Sequence, residues 1–137
     1  MTANGSCGDR PLVLFVGVPQ GLALSGVLEC EHRGWDANFF EEVVEGLDGI
    51  DATQPDIVVV PLSPPLLGLH EFCAVAMRGT TARRRGIFAW PAAPASPVVG
   101  DLMSRWGVVA CVPSGTGAVR LCDEIGRWLR ACDDGQP

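Results

Sequence analysis

Five short apolar runs recur along the chain, and helical patterns separate them. The first, Leu12-Val13-Leu14-Phe15-Val16, has no polar face, which predicts a strand covered on both sides. Leu24, Val27 and Leu28 then share one stripe of a helix over 21–33, which Gly34 closes. Asp36 to Glu41 reads as a shorter second strand, and Val43, Leu47 and Ile50 at i, i+4, i+7 place a helix over 43–52. Ile57-Val58-Val59-Val60 is a third strand that stops at Pro61. Leu69, Phe72, Cys73 and Ala76 form the stripe of a third helix, ended by Gly79 and an arginine-rich loop. Gly86 to Trp90 is a fourth strand, followed by the loop PAAPASP. Val99, Leu102, Met103 and Trp106 mark a helix over 97–107, Val108 to Val112 a fifth strand, and Leu121, Cys122, Ile125, Trp128 and Leu129 a last helix over 117–131.

Strand and helix alternating five times predict an α/β fold: a parallel sheet with helices on both faces. Right-handed crossovers leave few topologies, and the five-stranded flavodoxin-like order 2-1-3-4-5, a three-layer sandwich, is the expected one. The 137 residues form one domain over 10–131, with small, polar residues 1–9 and 132–137 read as disordered tails. A domain near this size buries about 68–70% of its unfolded surface, enough for a real core.

Composition narrows the function. Ten basic against sixteen acidic residues give a net charge of −6, which disfavours nucleic acid as a partner. Every basic residue is arginine; there is no lysine. The cluster Arg78, Arg83, Arg84 and Arg85 reads as a solvated loop. The six cysteines form no CxxC and no zinc spacing, and Cys73, Cys111 and Cys122 lie in apolar periodic stretches, as small buried hydrophobes do. No signal peptide opens the chain and no apolar run reaches the roughly 18 residues of a membrane span, so a reduced, cytoplasmic setting is expected.

Ligands of such sheets bind beyond the carboxyl ends of the strands. The loops there hold Gly17 to Gly21, Pro61 to Pro65, Pro91 to Pro97, and Pro113 to Gly117, with no acid, histidine, lysine or cysteine among them. The nearest carboxylates are Glu41 and Glu42, and Asp56 lies roughly 16 Å below Pro61 at about 3.3 Å per strand residue. Gly115-Thr116-Gly117 reads as a strand-to-helix turn with Thr116 as N-cap. His70-Glu71 lacks the second histidine of HExxH; His70 reads as an exposed early-helix residue, and His32 as a helix-end residue favoured by the dipole. No metal site and no cofactor are expected.

The order and spacing, with the stretches PQGLALSGVLECEHRGW, QPDIVVVPLSPPLLGLHEFC and GVVACVPSGTGAVRLCDEIGRWLR, resemble the receiver domain of bacterial response regulators, of the chemotaxis type, over about residues 10 to 131. That resemblance implies phosphoryl transfer to an aspartate after the third strand, with an acidic pair for Mg²⁺, a Thr or Ser after the fourth strand and a Lys after the fifth. The chemistry needs a carboxylate nucleophile, hard oxygen ligands and a positive charge on the phosphoryl group. This chain has Gly17 and Val18 around the acidic positions, Pro61 for the aspartate, Pro91 for the Thr/Ser and Ser114 for the lysine. The expectation is a vestigial, non-catalytic pocket in a degenerate receiver that signals by protein contact. The resemblance implies docking or homodimerisation through the helix 4–strand 5–helix 5 face, where Asp101, Arg105, Trp106, Arg120 and Arg127 are the candidates. The alternative is a small-molecule sensor whose ligand sits against Pro64, Trp90 and Thr116 in the vestigial pocket.

Overall fold

A computed structural model describes residues 10–62, 68–78, 85–93 and 97–134, with the backbone alone for 97–99, 102 and 134. The elements alternate as expected: β1 (Leu12–Val16), α1 (Gln20–His32), β2 (Asp36–Phe40), α2 (Val43–Thr53), β3 (Ile57–Leu62), α3 (Leu69–Met77), β4 (Gly86–Ala92), α4 (Pro97–Arg105), β5 (Val108–Pro113) and α5 (Ala118–Asp134). The five strands pair in parallel in the order β2-β1-β3-β4-β5. α5 runs to Asp134, past the boundary expected at 131.

Successive strand residues face opposite layers, and both layers are packed, which is why the central strands lack a polar face. Phe15, Val59, Phe88 and Trp90 meet Cys30, Leu121, Cys122 and Ile125 on one side. Leu14, Val58 and Ile87 meet Ile50, Phe72, Cys73 and Met103 on the other. Each buried leucine or isoleucine contributes about 1.5–3 kcal/mol, so Leu121, Ile125 and Leu129 hold α5 firmly.

Two strands overrun the prolines expected to stop them. β3 continues through Pro61 to Leu62; proline has no N–H for the ladder, and it falls where the β3–β4 register shifts between Val60 and Leu62. β4 runs through a cis Trp90–Pro91 peptide to Ala92.

Of the stripe expected on α1, only Val27 packs against the core. Ala23, Gly26 and Cys30 face the sheet, while Leu24 and Leu28 are 50% and 66% exposed. The reason is close approach: a Cβ on Gly26 would lie 2.6 Å from the Phe15 ring, so only small residues fit between helix and strand.

At the amino ends of the strands, charged groups tie the chain together. Asp56 Oδ2 accepts from the Leu12 N–H at 3.0 Å. Arg85, expected in a solvated loop, is 8% exposed. It donates to the Pro55 carbonyl at 2.8 Å, the Ala76 carbonyl at 2.7 Å and Gln54 Oε1 at 3.1 Å. The Ala76 carbonyl belongs to the last turn of α3, where backbone acceptors lack helical partners. Burial pulls the Arg85 pKa down, and the nearby Asp56 charge opposes that shift.

Candidate functional site

The carboxyl ends of β1, β3, β4 and β5 form the edge where the sequence places a vestigial pocket. Gly17 follows β1 with a φ of +72°, and its N–H donates to the Phe40 carbonyl at 2.8 Å. A Cβ there would lie 3.8 Å from Pro61 Cδ, so the two positions are neighbours, as expected. Val18 is buried at 2% exposure. An apolar, inward-turned side chain thus occupies ground where a metal ligand would need an open carboxylate.

Pro91 lies within β4, and β4 and β5 align Ala92 with Pro113 at this end. Ser114 follows directly. Its N–H and hydroxyl both donate to the Ala92 carbonyl, at 3.0 and 3.4 Å, so the hydroxyl is engaged with backbone. Gly17, Val18, Pro61, Pro91 and Ser114 therefore gather at one edge without a carboxylate, thiol, imidazole or cation. Glu41 and Glu42 stand exposed beyond β2. Among the described residues, no group of three or more His, Cys, Asp or Glu side chains could hold a metal ion. Ser63 and Pro64 lie outside the described residues.

Two of the sequence's assignments need correction. Trp90 is 0% exposed: it is a core residue, edge-on to Phe15 at 6.3 Å, and its indole N–H donates to the Thr116 carbonyl at 3.0 Å. It lines no open pocket. Thr116 is not the N-cap either, because the Leu121 N–H closes the first helical turn on the Gly117 carbonyl.

The β5–α5 flank has more relief. β5 is an edge strand, and a register shift opposite Ile87 and Phe88 pairs Val108 and Ala110 but leaves Val109 bulged out and 40% exposed. Cys111, expected to be buried, is exposed on this edge strand. A groove of about 590 Å³ runs between β5 and the start of α5, with Cys111, Pro113, Thr116, Arg120 and Glu124 on its walls. A second of about 280 Å³ continues it past Val109, Arg127 and Trp128, with Glu124 common to both. Glu124 pairs with Arg127 at 3.1 Å and with Arg120 at 3.8 Å. Asp101 and Arg105 of α4 are exposed. Trp106 does not join this face: it is half-buried and stacks on His70 at 5.1 Å, filling the seam between α3 and the end of α4.

Sequence reasoning missed the seam between α1 and α5. Arg33 Nε donates to Glu29 Oε2 at 2.9 Å, and Arg33 Nη2 to Asp123 Oδ1 at 2.8 Å and the Val119 carbonyl at 3.2 Å. Burial alone would lower the Arg33 pKa; the hydrogen bonds to Asp123 and Glu29 outweigh it and the pKa rises. Beneath lie Cys30 and Cys122, with sulfurs 3.9 Å apart. Helical spacing marked Cys122 as buried, but nothing in the sequence pairs it with Cys30.

No protein-family model matches the chain, and no curated protein does. Solved structures match in fold. A CheY-like response regulator receiver domain protein from Methanospirillum hungatei is 15% identical, with a TM-score of 0.73, covering 93% of this chain and 100% of that one. The chemotaxis response regulator CheY4 of Vibrio cholerae is 13% identical with a TM-score of 0.74, covering 87% and 98%. The response regulator domain of Thermotoga maritima CheB is 14% identical with a TM-score of 0.61, covering 94% and 100%. The chain therefore has the receiver fold. Among its described residues, no helix is long and apolar enough to cross a membrane.

Proposed function

We propose that this chain is a receiver-like regulatory domain of signal transduction that works by protein contact and without phosphoryl transfer. The observation that carries the reading is the carboxyl edge, where Gly17, Val18, Pro61, Pro91 and Ser114 sit together, and none of these five supplies a carboxylate to accept a phosphoryl or hold Mg²⁺, or a cation to neutralise the transferred charge. On this reading the domain is not an enzyme and acts in the cytoplasm.

The partner docks on the face of α4, β5 and α5. The exposed Val109 and Cys111 supply apolar contact, and Asp101, Arg105, Arg120 and Arg127 supply charge around it. Interfaces of this kind place an apolar centre within a polar rim. The bulge at Val109 disfavours simple strand addition along β5, so side chains rather than a continued sheet make the contact. The alternative, a small molecule in the vestigial pocket, loses Trp90 to the core; Thr116 stands beside an open groove, and Pro64 lies outside the described residues.

The test is native mass spectrometry of the tagged protein isolated gently from its own cells, beside a variant carrying Arg120→Glu and Arg127→Glu. A stoichiometric protein partner, or a second copy, that is lost from the folded variant supports the reading. A small-molecule mass on an otherwise lone domain overturns it.

A further inference from the structure

We infer that Cys30 and Cys122 form a buried dithiol that hydroperoxides convert into a disulfide locking α1 to α5. The inference stands apart from the docking reading and rests on the seam between the two helices.

Both thiols are 0% exposed, and their sulfurs are 3.9 Å apart. A disulfide requires about 2.05 Å, so the sulfurs must close by roughly 2 Å, a distance that side-chain rotation and a small helix shift can supply. The neighbours in sequence complete the arrangement. Glu29 precedes Cys30 on α1, Asp123 follows Cys122 on α5, and Arg33 bridges those two carboxylates at 2.9 and 2.8 Å. The partly exposed Arg33 side chain thus spans the seam beside both thiols, and its positive charge favours a thiolate at Cys30.

The hydrogen bond shared with Cys122 and burial still hold Cys30 protonated, well above its ordinary pKa. A protonated, buried thiol reacts slowly, so the rate follows opening of the seam. Once the seam opens, one thiolate attacks a peroxide oxygen. The S–O bond forms, the O–O bond breaks, and the departing oxygen takes a proton to leave as water or an alcohol. The second thiol then attacks the sulfenic sulfur. The S–S bond forms, the S–O bond breaks, and water leaves. In sum, two thiols and one hydroperoxide give one disulfide, one alcohol (or water) and one water. The product joins residues 92 apart in sequence, a long loop whose closure restricts the unfolded chain.

Two of the remaining thiols stand apart from this pair. Cys111 is exposed on the β5 edge, and Cys73 is buried in the opposite layer of the core.

The experiment treats the full chain, with Cys111→Ser to suppress cross-linking between molecules, with graded hydrogen peroxide. Remaining thiols are alkylated after unfolding and the peptides are mapped. The expected result is loss of two hydrogens from the intact mass, a linked Cys30–Cys122 peptide, and a melting temperature raised by roughly 5 °C or more. Arg33→Ala, which removes the bridge, should oxidise several-fold faster to the same product. Cys30 and Cys122 recovered as free thiols in both proteins, after prolonged exposure, overturn the inference; so does a disulfide that links either cysteine to any other.

Discussion

The two ends of the sheet handle polar chemistry in opposite ways. At the amino ends of the strands, charge is kept and turned inward: Asp56 holds the first N–H of β1, and the buried Arg85 guanidinium satisfies carbonyls of α3 and of the turn before β3. At the carboxyl ends, the positions hold glycine, valine, prolines and a serine bonded to backbone. Charge closes the fold at the amino end, and the five positions gathered at the carboxyl end carry none. A fold and its activity are separable, because the core that positions a site does not depend on the site's side chains.

Substitutions that break this comparison should differ in size. The largest effect is expected at Trp90, the core residue nearest the carboxyl end: Trp90→Ala should cost about 3–5 kcal/mol in urea unfolding. A loss under 1 kcal/mol would return Trp90 to a pocket wall. At the amino end, Arg85→Met should leave the Pro55 and Ala76 carbonyls without their donor, at about 1–3 kcal/mol for each buried acceptor. Asp56→Ala should lose about 1–3 kcal/mol by the same reasoning. Ser114→Ala should change stability by less than about 0.5 kcal/mol. Pro61→Asp, which restores the nucleophile alone, should gain no phosphoryl mass from acetyl phosphate and Mg²⁺, because the metal ligands and the cation are still missing.

The smallest effect is a pH dependence. Burial raises the Cys73 pKa from 9.0 to about 11, and the hydrogen bond with Cys122 and burial raise that of Cys30 further. The fold therefore holds these protons more tightly than the unfolded chain does. The Cys73 contribution is complete below pH 9 and is lost as pH rises through about 11, and that of Cys30 persists to higher pH. Melting temperatures measured between pH 8 and pH 10.5 should fall, and Cys73→Ala should flatten part of the slope.

Much of this was legible in the sequence because the strands are buried on both faces and announce themselves as unbroken apolar runs. The order of the sheet followed from alternation and handedness, and the empty carboxyl edge followed from residue types alone. What was not legible depends on neighbours far along the chain. The stripe Leu24–Val27–Leu28 has good helical spacing, yet the buried face is Ala23, Gly26 and Cys30, with the Phe15 ring pressed against Gly26. Arg85 turns inward, which its place in the run Arg83-Arg84-Arg85 does not announce; adjacency to Gly86 at the start of β4 was the available clue. A strand buried on both faces gives no alternation, so Trp90 could not be assigned to core or pocket. Cys111 is exposed on β5, the last strand of the sheet, whose edge place is a property of sheet order rather than of its own residues.

The central claim is that the carboxyl edge performs no phosphoryl chemistry. The most direct measurement is an amide NMR titration of the isotopically labelled protein with beryllofluoride and Mg²⁺, which together mimic the phosphoryl group. The account predicts an unchanged spectrum at saturating ligand. Large shifts clustered around residues 17, 61 and 114 would contradict it.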